Sequence, residues 1–330
     1  MGSVRDILVF FLGAAVTGAL VVLLSPAAPL PYAVADLGMR NTSTQVAAGS
    51  GTVDDDGLAE LLRNASMEDK TIIMTFTNEA LTLPGSLLDI FLESLRIGVK
   101  TQPLLKHLVV VSTDAKGLER CLHMHPLCYL LAGDGGTAAA ELKFMGKDYL
   151  DLMWARNRFQ LRVLELGYGF LFTDLDIVWF RNPLLRIPVA ADIALACDNF
   201  FGVNPYDLEK YANGGFLYAR PSAASKAFFR DWYEARTLYP GEHDQFVFGK
   251  VKHELAAKHG ATVQFVDTTY FSGHCEAWKK INFHEVCNFH ANCMIGLQYK
   301  LDKINAVLDE WIQFKEEQLL LGANSTALTY

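Results

Sequence analysis

Short apolar segments alternate with longer amphipathic segments along the chain from residue 71 onward. The apolar segments are rich in β-branched and aromatic residues and predict strands, whereas the amphipathic segments predict helices. This alternation predicts an α/β domain whose mostly parallel, mixed sheet is covered by helices on both faces. The predicted strands are 71–77, 107–113, 169–175, 192–197, 214–219 and 262–267, and the predicted helices are 85–98, 148–166, 222–237, 244–259 and 297–315.

The amino-terminal pattern is different, because residues 7–24 carry no charge. A run of 18 apolar residues just suffices to span a bilayer, and Arg5 on its short amino-terminal side favours a cytosolic 1–6 tail. The alternative is a cleaved signal peptide, since Ala33-Val34-Ala35 resembles a cleavage site. The apolar run exceeds the usual length of about 7 to 15 residues, which favours a transmembrane signal anchor.

Residues 25–66 are rich in Ala, Ser, Thr, Gly and Pro and show no sustained apolar period, so they are predicted to form a flexible stem. One domain is predicted over 67–318, followed by a tail over 319–330. A hydrophobic content of 51% suffices for such a core. The net charge of -8 argues against a nucleic-acid partner, because phosphate binding rests on clustered Lys and Arg.

Three N-glycosylation sequons agree with a secretory address; they begin at Asn41, Asn64 and Asn324.

The six cysteines lack the paired spacing of a zinc site, so some are expected to form disulfides in an oxidising lumen. Proximity in sequence suggests Cys121 with Cys128 and Cys275 with Cys287, although spacing does not fix connectivity.

Asp174 and Asp176 stand two residues apart at the end of an apolar run within 169–183. In an extended chain such side chains project from the same face, and the carboxyl ends of strands are where open α/β sheets bind ligands. Mg2+ and Mn2+ favour carboxylate oxygens and share coordination with phosphates. The pair therefore predicts a metal site for a phosphorylated substrate. Turn capping, or pairing with Arg181, is the alternative.

Four segments occur in a fixed order: FTDLDIVWFRNP at 172–183, NGGF at 213–216, HDQ at 243–245 and FHANC at 289–293. With the anchor and stem, they resemble the nucleotide-diphospho-sugar transferase domain of plant and algal glycosyltransferase family 77. The resemblance implies a GT-A-type, Rossmann-like fold. It also implies transfer of a sugar, with retention of anomeric configuration, from a UDP-sugar to cell-wall polysaccharide or glycoprotein. Arabinosyl and xylosyl transfer are typical, and galactose is a further candidate. A Golgi type II membrane protein is expected.

The resemblance also suggests roles for individual residues. His290 is expected to join Asp174 and Asp176 as a third metal ligand, and imidazole favours Mn2+ over Mg2+. Thr75 and Asn78 follow the first strand and are expected to contact the nucleotide, with strand-end capping as the alternative.

Further candidates come from the residue types. A guanidinium suits diphosphate, and Arg158 is preferred to Arg156 on the helix before the DxD strand. The segment Asn213-Gly214-Gly215 allows close backbone approach to a ligand, and the Asn amide is expected to bind a sugar hydroxyl. Asp244 and Gln245 are the candidate catalytic residues, whereas helix capping is the structural alternative for Asp244.

Two other functions remain open from sequence. DLDIV at 174–178 also fits the first motif of haloacid-dehalogenase-type phosphatases, in which the first Asp is a nucleophile. Those enzymes need a later acidic pair, which is not evident downstream. A membrane-tethered carbohydrate-binding protein without turnover is the second alternative.

Overall fold

Two β-sheets organise the part of the chain that the computed structural model describes, residues 55–131 and 145–327. The strands there are β1 Thr71–Thr77, β2 Leu108–Ser112, β3 Cys128–Leu130, β4 Gly169–Thr173, β5 Ile177–Trp179, β6 Ile193–Cys197, β7 Ala212–Ala219, β8 Val263–Phe265, β9 Phe271–Gly273 and β10 Asn288–His290. The α-helices there are α1 Asp55–Ala65, α2 Leu87–Ile97, α3 Ala115–Met124, α4 Lys147–Glu165, α5 Ala223–Glu234, α6 Asp244–His259 and α7 Leu297–Ala327.

The larger sheet has the order β3-β2-β1-β4-β7-β6-β8. Strand β7 runs antiparallel to both β4 and β6, while the other neighbouring pairs are parallel. The carboxyl ends of β4 and β6 and the amino end of β7 therefore lie at one edge. The smaller sheet has the order β5-β10-β9. The predicted mixed, mostly parallel α/β sheet is confirmed.

Both faces of the large sheet are covered. On one face α1, α4, α5 and α6 pack in a cluster that contains Leu62 and Phe172. On the other face α2, α7 and the small sheet pack in a second cluster that contains Trp179 and Trp311. Alternate strand residues feed the two clusters, since Ile72 belongs to the first and Ile73 to the second.

Several segments differ from the sequence expectation: helix α3 and strands β3, β9 and β10 lie where no element was predicted, and the predicted stem and tail are partly helical. Residues 55–65 form helix α1 instead of flexible stem, because Leu58 and Leu62 are buried in the core. Helix α7 continues through Ala327, far into the segment 319–330 that was expected as a tail. The predicted anchor, the rest of the stem and the Asn41 sequon lie outside the described residues. Among the helices described, none has the length and apolarity needed to cross a membrane.

The predicted disulfide Cys121–Cys128 is present. The predicted Cys275–Cys287 pair is wrong, because Cys275 bonds Cys293. Strands β9 and β10 are parallel with Gly273 beside His290, so the residues that follow both strands meet at the same end. Cys287 precedes β10 at the other end, and its thiol is free and buried.

Candidate active site

A cleft of about 580 Å³ opens at the edge of the large sheet where β4 ends and β7 begins. Its wall includes the end of β1, one face of α4, the turn after β4 and the start of α6. The segment from the end of β10 into α7 closes the remaining side, with Met294 and Leu297 among its lining side chains. Clefts at this edge of an α/β sheet are the usual place for ligands.

Asp174, Asp176 and His290 meet on the wall of this cleft. The two aspartates follow β4 directly, and antiparallel pairing of β10 with β5 sets His290 opposite Ile177, the residue after Asp176. The Nε2 atom of His290 lies 3.1 Å from Asp176 Oδ1 and 3.9 Å from Asp174 Oδ2. One ligand atom from each of the three residues lies within 4.8 Å of the others.

Lys300 is a member of this cluster that sequence reasoning missed. Its ammonium donates a hydrogen bond of 2.6 Å to Asp176 Oδ2 from the first turn of α7. The sequence feature that could have identified Lys300 is its position within the apolar stripe of that helix. Leu297, Leu301 and Ile304 of this stripe pack against the core.

The pKa values of the two aspartates in the cluster are shifted in opposite directions. Burial raises the pKa of Asp176, but attraction by His290 and Lys300 outweighs it and holds that pKa well below its usual range. Desolvation lowers the pKa of His290, and Asp176 overcomes this so that the net pKa is raised. Enclosure raises the pKa of Asp174, and the lowering influence of Arg156 does not cancel it. Asp174 is thus the carboxylate with the least compensated charge.

Gly215 lets the β7 backbone approach the cluster. Its carbonyl accepts a 2.7 Å hydrogen bond from the Asp174 amide. A Cβ built on Gly215 would overlap His290 Cε1 and lie 2.7 Å from Asp174 Oδ2. Only glycine fits between these two side chains.

Gly214 and Asn213 are also held at the cleft wall. The Gly214 amide donates to Gln245 Oε1 at 2.9 Å, which joins β7 to the start of α6. Asn213 accepts from the Gly215 amide through Oδ1 at 2.9 Å and donates through Nδ2 to Asp198 at 2.7 Å. The Asn213 amide, expected to bind a sugar hydroxyl, is thus engaged in positioning the backbone.

Arg156, not Arg158, faces the cleft. It pairs with Asp244 at 2.8 Å and reaches Asp174 at 3.4 Å, and its side chain is only 9% exposed. Arg158 is exposed and does not line the cleft. Helix α4 is oriented on the sheet so that Leu152, Met153 and Arg156 face the cleft. These residues are one, three or four positions apart and therefore lie on one face of the helix.

Asp244 and Gln245 line the cleft as expected. His243, rather than Asp244, is the N-cap residue of α6. The Asp244 carboxylate is 4% exposed, and Arg156 attracts it strongly enough to lower its pKa despite the opposing effect of burial.

The two residues expected at the first strand end differ in position. Asn78 lines the cleft, and its Oδ1 accepts from the Leu81 amide at 3.1 Å. Thr75 lies within β1, which continues to Thr77, and it is fully buried. Thr75 does not line the cleft, so its predicted nucleotide contact does not fit the structure.

Asp198 links two walls of the cleft. Its Oδ1 accepts from Asn213 Nδ2 at 2.7 Å and from Asn292 Nδ2 at 3.1 Å. Asp198 also lies beside Cys275 and Cys293. The two sulfurs are bonded to each other, so this group is a structural clamp and not a metal site.

The chain matches the nucleotide-diphospho-sugar transferase family over residues 103–304. It is 37% identical to the Arabidopsis thaliana uncharacterized protein At4g15970 over 256 residues, which are 77% of this chain and 67% of that protein. It is also similar to the beta-arabinofuranosyltransferase RAY1 of Arabidopsis thaliana, with 31% identity over 49% of this chain and 34% of that protein. The Arabidopsis thaliana UDP-D-xylose:L-fucose alpha-1,3-D-xylosyltransferase 3 is 23% identical over 50% of this chain and 48% of that enzyme.

The family match covers strands β2 to β10 and the cleft residues from Tyr149 to Lys300, and it confirms the family resemblance drawn from the four sequence segments. The fold is GT-A-like, and the phosphatase alternative for the DLDIV segment is excluded. This chain belongs to the nucleotide-diphospho-sugar transferase family and is a glycosyltransferase.

Proposed function

We propose that this glycosyltransferase moves a sugar of the arabinose, xylose or galactose class from a UDP-sugar to a cell-wall polysaccharide or glycoprotein, with retention of configuration and with Mn2+ or Mg2+ as cofactor. The observation that carries the proposal is the convergence of Asp174, Asp176 and His290 in the cleft. Two carboxylates and an imidazole are a donor set that suits Mn2+, and Mg2+ less well.

The residues present fit a divalent cation. Asp174 is 35% exposed toward the cleft, and desolvation raises its pKa although Arg156 lies 3.4 Å away. Gly215 lets the side chains of Asp174 and His290 lie directly against the β7 backbone, where any Cβ would overlap them. A bound divalent cation would neutralise the negative charge that develops on the leaving diphosphate.

The surrounding side chains organise the rest of the cleft. Lys300 adds a positive charge beside Asp176, which favours an anionic diphosphate at this place. Arg156 holds Asp244 through a buried ion pair, so the carboxylate keeps one orientation at the cleft wall. Gln245 is fixed by the Gly214 amide. Asp244 and Gln245 are therefore preorganised groups for the reacting face of the donor sugar.

The relatives support a pentose donor within the proposed range. RAY1 is named as a beta-arabinofuranosyltransferase, and the more distant relative uses UDP-D-xylose. Their identities of 31% and 23% leave the sugar of this chain as a proposal.

The location of the enzyme is proposed from sequence. Residues 7–24 serve as a signal anchor in the Golgi membrane, and the catalytic domain is luminal. The disulfides Cys121–Cys128 and Cys275–Cys293 support an oxidising compartment.

The test is Mn2+-dependent release of UDP from a panel of UDP-sugars, together with thermal stabilisation by UDP. Ligand at about one hundred times its Kd adds roughly 2.7 kcal/mol, and each kcal/mol raises the Tm of a domain of this size by about 2–4 °C. A metal-dependent shift of several degrees is expected. Asp176→Asn is expected to abolish that shift and most transfer while leaving the metal-free fold intact.

Asp309→Asn is the matched control, because it makes the same chemical change at an exposed position of α7. If Asp176→Asn keeps the wild-type shift with Mn2+ and UDP, the carboxylate pair is structural and the proposed mechanism is wrong. Binding of UDP-sugars without transfer or hydrolysis would favour the carbohydrate-binding alternative.

A further inference from the structure

The loop 198–211, which joins β6 to β7, leaves the sheet at the same edge as the DxD turn. Its base is closed, because the Asp198 amide donates to the Tyr211 carbonyl at 3.1 Å. A loop of this length whose ends meet is an Ω-loop, a class that is packed by its own side chains and is frequently functional.

Lys210 fixes the interior of loop 198–211. Its side chain is fully buried, its ammonium donates to the Asn204 carbonyl at 2.7 Å, and Asp207 Oδ2 lies 3.6 Å away. The rings of Phe200 and Phe201 lie 4.7 and 4.9 Å from the ammonium. A buried charge is costly unless it is fully engaged, so these contacts hold the loop in one conformation.

The loop is also tied to the domain beneath it. Lys252 donates from α6 to the Lys210 carbonyl at 2.7 Å, and the Phe265 amide donates to the Pro205 carbonyl at 2.8 Å. These bonds anchor the loop to two elements of the core, so its outer surface is preorganised for binding.

Several exposed side chains of the loop are apolar or aromatic. Val203 is 94% exposed, Tyr211 74%, Tyr206 51% and Phe201 41%. Single exposed apolar residues are ordinary, but several of them on one rigid loop indicate an interaction surface.

The base of this loop adjoins the cleft. Asp198, at the loop's base, binds Asn213 and Asn292, and both of these side chains line the cleft. Tyr211 lies two residues before Asn213. A chain that extends from the reaction centre past Asn213 therefore approaches Tyr211, at the carboxyl end of the loop.

We propose that loop 198–211 binds the acceptor, and that this acceptor is an extended, uncharged oligosaccharide. The inference rests on the proposed transferase function. Tyr rings offer apolar faces for the carbon-bound hydrogens of sugar rings and a hydroxyl for their polar edges. The loop carries Asp198, Asp207 and Glu209 against Lys210 alone, and this acidic balance disfavours an anionic chain.

The experiment measures binding of uncharged plant cell-wall oligosaccharides, from disaccharides to octasaccharides, to the whole protein without donor. Affinity is expected to rise with chain length in the wild type. Tyr211→Ala and Tyr206→Ala are each expected to weaken binding of the longest chains about tenfold, the scale of one lost aromatic contact. Tyr211→Phe is expected to retain most of the affinity, and the Tm shift with UDP and Mn2+ is expected to stay at the wild-type value in all three variants.

Leu319→Ala is the control, because Leu319 is 72% exposed near the far end of α7. Wild-type affinity in both Tyr→Ala variants would overturn the proposal. Self-association that the same variants abolish, without oligosaccharide binding, would assign the loop to a second copy and would also overturn it. Oligosaccharide binding through the loop without UDP binding would support the proposed role of the loop and contradict the proposed transferase function.

Discussion

At the scale of single residues, Gly215 allows the carboxylate–imidazole cluster to pack against the β7 backbone. Gly215→Ala is expected to displace His290 and Asp174, because the added methyl group would overlap both. The expected result is loss of most of the metal-dependent stabilisation by UDP, while the protein still folds. Thermal melts with and without Mn2+ and UDP measure this.

The helical glycine Gly249 provides a control for that substitution, since a Cβ there meets nothing within 4 Å. Gly249→Ala is expected to raise stability by up to about 1 kcal/mol and to leave UDP binding unchanged. A Gly215→Ala variant with the same gain in stability, and with the full metal-dependent stabilisation by UDP, would contradict the close packing described at the site.

Lys300 is expected to strengthen binding of the anionic diphosphate, because its ammonium lies in the cleft beside Asp176. Lys300→Gln is expected to raise the Kd for UDP at saturating Mn2+ about tenfold or more, since a close charge contact in a partly buried site is lost. Lys300→Arg is expected to keep part of the affinity. Calorimetric titration with UDP measures the change, with exposed Lys106→Gln as the control. Equal affinities in Lys300→Gln and wild type would show that Lys300 serves only to neutralise Asp176.

Sequence reasoning located some site residues and missed others for physical reasons. Asp174 and Asp176 were predictable, because both directly follow an apolar strand, whose carboxyl end is where an α/β sheet binds ligands. The preference for Arg158 over Arg156 failed, because the rotation of a helix on a sheet depends on tertiary packing. Asp198 was not singled out, since its partners Asn213 and Asn292 are brought to it only by the fold.

At the scale of elements, the disulfide between the segments after β9 and β10 supports His290. Cys275→Ser is expected to reduce stability by about 3 kcal/mol, the entropic value for a loop of this size. It is also expected to weaken the Mn2+-dependent response to UDP. Non-reducing peptide mapping is expected to recover Cys275 linked to Cys293, and recovery of a Cys275–Cys287 peptide would contradict the fold of this segment.

The two free thiols give an independent check on the same elements. Burial raises the pKa of Cys197 to about 12 and also raises the pKa of Cys287. Both are expected to resist alkylation at neutral pH in the native protein, because the thiolate is the reactive form.

Most of the long elements were predictable, with α1 and α3 as exceptions, and most of the short strands were not. The segment 71–77 matches β1 because it is rich in β-branched and apolar residues, and 244–259 matches α6, whose buried Val247, Val251 and Leu255 recur every four residues. Strands β3, β5, β8, β9 and β10 have three residues each, too few to show a period, and only β8 falls within a predicted strand, 262–267. Their existence depends on pairing with distant segments, as β10 does with β5.

At the scale of the whole molecule, Asp192 holds three segments together at the edge opposite the cleft. Its carboxylate accepts from Arg220 Nε at 2.9 Å, from Ser222 Oγ at 2.7 Å and from the Thr262 amide at 2.9 Å. Burial raises the pKa of Asp192, but these hydrogen bonds and Arg220 outweigh it, so the net pKa lies below the ordinary 3.8.

This pKa shift predicts a pH-dependent part of the stability. Because the folded-state pKa is lowered, the contribution is present above the unfolded value and is lost as the pH falls through the folded one. Asp192→Asn is expected to cost about 1–3 kcal/mol at pH 7, and the difference from wild type is expected to shrink below pH 3.8. Urea unfolding across this range measures it. A constant difference at all pH values would mean that the ionised carboxylate is not what holds the segments.

Helix α1 bears on how the protein tolerates shortening. Leu58 and Leu62 lie in the same core cluster as β1, and the carbonyl of Ala65 is 2.8 Å from His107 Nδ1. Proteolysis between the proposed anchor and residue 55 would leave all of the described core residues in place. Cleavage about a dozen residues later would instead remove helix α1 and its buried side chains from the core. Any secreted form of this enzyme must therefore begin before Asp55.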